Sequence, residues 1–198
     1  LRRVLAHRHI WIAGFLAGIL VGAQCSLITY MMLYLRDVLS VPIVVAGMVL
    51  AVVQVTGLSA RIFWGFVSDR LLKGRRKPVM LLSGAGSALV LFLFSLAQPG
   101  IPLALVVLLA AGLGFTAVGW HGIFMVLLSE LAGVQMAATA IGLGMTVSSV
   151  GAMVLPPLVG LIADAADYHT AWLFLAAAAA GGTVVFLFMR EAAPLGER

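Results

Sequence analysis

The 198-residue chain is 63% hydrophobic and 10% charged, with 12 Lys or Arg against 7 Asp or Glu, a net charge of +5 and a mean hydropathy of +1.17. A soluble domain carries about 25% charged residues, so this composition excludes a soluble enzyme and a soluble nucleic-acid binder, and the single cysteine, Cys25, excludes a disulfide scaffold. The apolar residues come in blocks of about 20 or more, the length that crosses a bilayer as helix, which makes the chain a polytopic membrane protein.

Six membrane helices are predicted in chain order, near Ile10–Leu35, Pro42–Val67, Val79–Ala97, Pro102–Leu128, Met136–Ala163 and Ala171–Met189. The breaks carry turn or charge signals: Arg36-Asp37, Ser68 to Pro78, Gln98-Pro99-Gly100, Glu130 to Gln135, and Asp164 to His169. Barrel strands are excluded because they alternate in polarity over about 10 residues, and these blocks do not alternate. No secretory leader pattern opens the chain at Leu1, and a preceding segment is expected.

Ten of the twelve basic residues fall in three places: Arg2, Arg3 and Arg8; Arg70, Lys73, Arg75, Arg76 and Lys77; and Arg190 and Arg198. With six spans these three segments share one side, and the positive-inside rule puts that side, with both ends, in the cytoplasm. This explains the basic balance without a nucleic-acid partner. Arg36 faces the other side and Arg61 lies within the second span.

The second span ends Gly65-Phe-Val-Ser-Asp69 and the fifth ends Gly160-Leu-Ile-Ala-Asp164. Each closes the middle helix of a three-helix unit, and because three is odd the units, about 1–98 and 99–198, have opposite orientations. An inverted three-plus-three repeat of this kind is a transporter architecture.

Gly65 to Asp69, continued by Arg70-Leu-Leu-Lys73-Gly74-Arg75-Arg76-Lys77-Pro78, resembles the signature loop of the major facilitator superfamily, which joins the second and third helices of each six-helix half. The ending Pro156-Pro157-Leu-Val-Gly160 to Asp164, then Tyr168-His169-Thr-Ala-Trp172, resembles the last two helices of a carboxyl-terminal half. The resemblance implies an all-α fold that is one half of a twelve-helix carrier, with an amino-terminal half expected elsewhere, and a secondary transporter, symporter or antiporter, in the cell or inner membrane. It implies a conformational latch from Gly65, Asp69, Arg70, Arg75 and Glu130. Here two extra residues separate Asp69-Arg70 from Gly74-Arg75-Arg76, so the relay base is either Lys73 or Arg75.

Arg61 precedes Asp69 by eight residues, about 12 Å of helix, which sets it well inside a core about 30 Å thick. An arginine there costs about 2.5–3.5 kcal/mol unless an anion, a partner or water meets it, and no acidic residue lies at comparable depth. Gln54 lies two turns away on the same face. Arg61 and Gln54 therefore suit a carboxylate, and the surrounding Ala60-Arg61-Ile-Phe-Trp-Gly65 is similar to carboxylate-carrying branches of the superfamily. The alternative is an arginine that snorkels to the cytoplasmic interface or pairs with an acid in the missing half.

Ser26, Tyr30 and Tyr34 form one stripe on the first span, facing a cavity or another helix. Tyr34 reads as an interfacial aromatic and Tyr30 as the site candidate. In the fourth span Trp120 is a candidate cavity aromatic, and His121 either a proton relay or a neutral partner for a neighbouring helix. Thr139, Gly142, Thr146 and Ser149 read as a packing face, and Pro156-Pro157 as a kink. Asp164, Asp167 and His169 make a poor metal site, and neither metal nor cofactor is expected. No paired acids, Ser–His pair or Gly-x-Ser-x-Gly lies in the spans, so no enzyme is expected. The expected function is alternating-access transport of a small organic anion; the alternative is a half-size protein acting as a homodimeric carrier or channel with a second copy.

Overall fold

The computed structural model describes residues 7–189; Arg2, Arg3, Arg190 and Arg198 lie outside the described residues. Among the described residues there are no strands and six helices long and apolar enough to cross a membrane: α1 Arg8–Asp37, α2 Ile43–Leu71, α3 Lys77–Ser95, α4 Leu103–Ala132, α5 Val134–Ala165 and α6 Tyr168–Leu187. Pro42 and Pro102 immediately precede the starts of α2 and α4, and Pro78 occupies the first turn of α3, where a missing N–H costs nothing. The α6 helix begins three residues earlier than its apolar block. Asp167 caps it by accepting from the Thr170 backbone N–H at 2.6 Å, and that bond holds the carboxyl below the usual carboxylate range.

Helix packing is not driven by apolar burial in a bilayer, because lipid is as apolar as leucine, so close van der Waals approach takes its place. The α1–α5 crossing is the most extensive contact in the bundle. It is built on Gly14, Gly18 and Gly22 of α1, one turn apart, facing Val147, Ser148, Gly151 and Leu155 of α5. A Cβ added to Gly151 would run into the Gly18 carbonyl. The α4–α2 crossing is made the same way, with Gly114 against the Val53 carbonyl and Thr56, and Gly57 against Val118. Thus α1 meets α5 and α4 meets α2 through paired glycines, while α3 packs on α6. The pattern maps onto itself when each helix is exchanged with the one three places along.

Two spans are not regular throughout. The α2 helix ends in a π-turn, Val67–Leu71, with Leu72 N–H bonded to the Val67 carbonyl at 3.0 Å. The chain then reverses through Lys73 at φ 53° and Gly74 at φ 80°, a left-handed pair in which only glycine is free of strain. The α4 helix is broken: a π-segment, Gly114–Val118, and a turn at Gly119-Trp120 separate Leu103–Leu113 from His121–Ala132. The broken ladder frees carbonyls, and two indoles serve them. Trp64 Nε1 donates to the Phe115 carbonyl at 3.1 Å and Trp120 Nε1 to the Ala117 carbonyl at 2.8 Å. By contrast α5 runs on through Pro156 and Pro157, so the two prolines do not end the helix.

Tyr34 is not an interfacial aromatic. It is fully buried, its hydroxyl directed at the Phe94 and Ala97 carbonyls (3.3 and 3.1 Å), among Phe94, Tyr168, His169 and Trp172. The hydroxyl satisfies carbonyls at the end of α3, where the helix supplies no further donors. His169 Nδ1 does the same for the Ser95 carbonyl at 2.8 Å. The first-span stripe accordingly faces other helices: Ser26 is buried, and Tyr30 lies against Gly160 of α5.

Gly151→Val should destabilise the bundle by about 1–3 kcal/mol, because the added carbons meet backbone rather than a movable side chain. Gly142→Ala, where nothing lies within 4 Å of the new methyl, should leave the melting temperature in detergent unchanged or slightly raised. Equal melting temperatures for the two variants would remove the glycine crossing as the basis of the packing.

Candidate functional site

Arg61 and Gln54, both on α2 and both exposed, open into a cavity of about 220 Å³ completed by Gln24 of α1, Leu58 of α2 and Val118 of α4. The α4 break positions this wall, since Val118 is the last residue of the π-segment. No hydrogen bond or ion pair joins Arg61 to another described residue. The described acids, Asp37, Asp69, Glu130, Asp164 and Asp167, all lie at or near helix ends. The cavity therefore presents one cation and two amides with no carboxylate. A larger cavity of about 350 Å³ lies over the α1–α5 crossing, but its lining is apolar and offers nothing to orient a polar solute.

The remaining sequence candidates distribute as follows. His121 is the first residue of the second α4 segment, half-buried, beside the Val118 backbone and within electrostatic range of Arg61. Trp120 does not line the cavity. It is fully buried, stacked on His121 at 4.3 Å and edge-on to Phe124, with its N–H committed to Ala117. Tyr30 does not line it either, being packed against α5. The sequence argument missed Gln24, a solitary amide off the Ser26–Tyr30–Tyr34 stripe, and it also missed Trp64, whose donor role depends on a helix break that periodicity does not reveal. Gly142, Thr146 and Ser149 are exposed on this six-helix unit; the small residues of α5 packed within it are Gly144, Ser148 and Gly151.

At the other end of α2, the loop makes a charge bridge centred on Arg76. Its Nη1 bonds Asp69 Oδ1 and, at 2.7 Å, Ser68 Oγ, while Nε donates to Glu130 Oε1 on α4 at 3.1 Å. Ser68 in turn donates to the Arg75 carbonyl at 3.1 Å. The residue that bridges Asp69 and Glu130 is Arg76, next in the chain to Arg75. The two extra residues are taken up by the π-turn and the left-handed turn, which shift the register until Arg76 faces Ser68. Partial burial works against the Arg76 charge, but the bonds from Asp69 and Glu130 outweigh it, and its pKa lies above the usual value. Arg70 is exposed, and a side chain at Gly65 would meet open space. Across the same end, Lys77 Nζ donates to the Leu187 carbonyl at 2.9 Å and closes the end of α6.

Six helices long and apolar enough to cross a membrane, paired glycine crossings and a basic loop bridged to an acid on α4, with an arginine on α2 that has no hydrogen bond or ion pair among the described residues, describe a multi-pass membrane protein. Residues 10–198 match the profile of the Major Facilitator Superfamily, and the chain belongs to that family, whose members are membrane transporters. It is similar to two proteins described as uncharacterized MFS-type transporters, from Mycobacterium tuberculosis strains CDC 1551 / Oshkosh and ATCC 25618 / H37Rv. Each is 27% identical over 163 residues, 82% of this chain and 36% of the relative. The chain thus spans about a third of the length of these relatives.

Arg76 is only 13% exposed, but Asp69 and Glu130 are 61% and 46% exposed, so solvent screening limits the bridge. A double-mutant cycle of Arg76→Ala with Glu130→Ala should show a coupling of about 0.5–1 kcal/mol in thermal stability. The same cycle with Lys73→Ala should show none. Coupling at Lys73 and none at Arg76 would reassign the relay.

Proposed function

We propose that the chain is half of a secondary carrier that moves a small organic anion across the cell membrane by alternating access, with both ends of the segment cytoplasmic and a second six-helix half completing the pathway. The observation that carries this reading is Arg61: a guanidinium inside the membrane span, without a partner among the described residues, opening with Gln54 and Gln24 into a polar cavity. A membrane arginine without a fixed anion is costly, and an arriving carboxylate removes that cost through charge-assisted hydrogen bonds. The inverted-repeat reading is supported by the symmetrical pairing of α1 with α5 and α4 with α2, and the orientation by the basic α2–α3 loop.

Arg61→Ala should lower uptake of small carboxylates by the full-length gene product by roughly 10–100-fold, with membrane protein levels near normal. Arg61→Lys should restore only part of it, because an ammonium is a point charge where guanidinium is a planar fork. Unchanged carboxylate uptake in Arg61→Ala would remove the anion reading.

The Ser68–Asp69–Arg76–Glu130 network acts in this scheme as the latch of one conformation. Asp69→Asn, at a side chain remote from the cavity lining, should change the rate of conformational exchange several-fold while leaving substrate affinity within about twofold. Loss of binding at an unchanged exchange rate would refute the latch.

A further inference from the structure

We infer that the end of the bundle carrying the α2–α3 loop is a docking surface for an anionic phospholipid, its headgroup held by Arg70, Lys73 and Lys77 and its acyl chains against Leu71 and Phe188. Charge is divided between the two ends of the structure. Among the described residues, the end formed by the start of α1, the α2–α3 loop and the end of α4 carries six bases, Arg8, Arg70, Lys73, Arg75, Arg76 and Lys77, against two acids, Asp69 and Glu130. The other end carries Arg36 against Asp37, Asp164 and Asp167. The α6 helix finishes at the basic end, where Ile10, Val79, Leu131 and Met189 share one core cluster. Both acids of that end are spent on Arg76. Arg70 and Lys73 are exposed, and no hydrogen bond or ion pair joins either to another described residue. Lys77 spends one of its three donors on the Leu187 carbonyl.

The loop presents these cations from a tied backbone. Gly74 N–H donates to the Ser68 carbonyl at 2.8 Å and Arg75 N–H to the Leu72 carbonyl at 3.0 Å. Basic residues immediately outside a membrane span attract anionic headgroups, and two observations favour a lipid over a free anion. Leu71, set between Arg70 and Lys73, is 68% exposed, and Phe188, next to the Leu187 that Lys77 holds, is 78% exposed. A free phosphate makes no use of apolar side chains beside the cations, whereas an acyl chain buries them. The edge is also open to the bilayer. The least buried spans are α5 and α2, the faces a second half would cover, whereas Lys77 and Phe188 belong to the paired ends of α3 and α6.

The test purifies the full-length gene product in micelles holding equal phosphatidylglycerol and phosphatidylcholine, and counts the retained lipids by native mass spectrometry. The wild type should retain phosphatidylglycerol roughly tenfold over phosphatidylcholine at low salt, and added salt should shrink that preference. The double variant Arg70→Gln/Lys73→Gln should lower it to roughly twofold or less, and Arg70→Lys/Lys73→Arg should keep it. Arg36→Gln, at the other end, should leave it unchanged. Equal melting temperatures of wild type and double variant in phosphatidylcholine alone show that the variant folds, and Lys73→Gln alone, with an intermediate preference, serves if it does not. Equal retention of the two lipids by the wild type, as when acids of a second half already occupy these bases, would overturn the inference. So would a preference that survives Arg70→Gln/Lys73→Gln. Stabilisation by inorganic phosphate as large as that by phosphatidylglycerol would assign a free anion in place of the lipid.

Discussion

The bundle depends on two backbone-to-backbone crossings, Gly18 with Gly151 and Gly57 with Gly114. In a bilayer the apolar surface of a helix gains little by leaving lipid for another helix, so the attraction must come from many atoms at short range. Glycine provides that range by removing the side chain between two backbones, at a cost in helix propensity of about 1 kcal/mol each in water. The cost falls on long helices, 30 residues in α1 and 32 in α5, that have ample hydrogen bonds to absorb it. The α3 helix packs on α6, and their contact is further held at one end by Tyr34 and His169, each donating to a carbonyl at the end of α3, and at the other by Lys77 on the end of α6.

The same crossing that holds α4 to α2 also breaks α4. Gly114, pressed against the Val53 carbonyl, begins the π-segment, and four residues later Val118 becomes part of the cavity wall opposite Arg61. A π-turn exposes carbonyls to the bilayer interior, which is tolerable only where protein donors replace the lost helical ones. Trp64 and Trp120 are those donors. This explains why Trp120, a plausible ligand aromatic from sequence, is committed to the scaffold: its N–H is required by the break that shapes the site. The break and the indoles form one device, and the cavity is its consequence.

How far the sequence could be read follows from the range of each signal. The six spans were legible because a bilayer imposes length and hydropathy on each helix independently, and the family was legible because Gly65, Asp69 and the basic loop are local in sequence. Arg61 and Gln54 were legible as a pair because seven residues return to one helix face. What could not be read depended on contacts between helices. Gln24 enters the site only because α1 passes beside α2. Arg76 reaches both Asp69 and Glu130 in a loop whose register a π-turn has changed, and no periodicity argument anticipates one extra residue in a turn. Tyr34 looked interfacial by position along α1, but its buried placement is fixed by α3 and α6, whose proximity the sequence of α1 does not contain.

Burial is distributed unevenly, and the unevenness bears on mechanism. The α5 helix is the least buried of the six and α2 the next, with large apolar side chains such as Ile62, Phe66, Met153 and Leu161 left outward. Those two helices are equivalent under the exchange that relates the crossings, and α2 carries both Arg61 and Asp69. On the proposed reading, a second half covers the α2 and α5 faces. Any shift of that half along α2 then alters the surroundings of Arg61 and of the Asp69–Arg76–Glu130 network together, because Asp69 lies eight residues on from Arg61, in the π-turn that ends the same span. On that reading, a solute at Arg61 and the charge network at Asp69 would be coupled through one span, with no need for a longer chain of contacts.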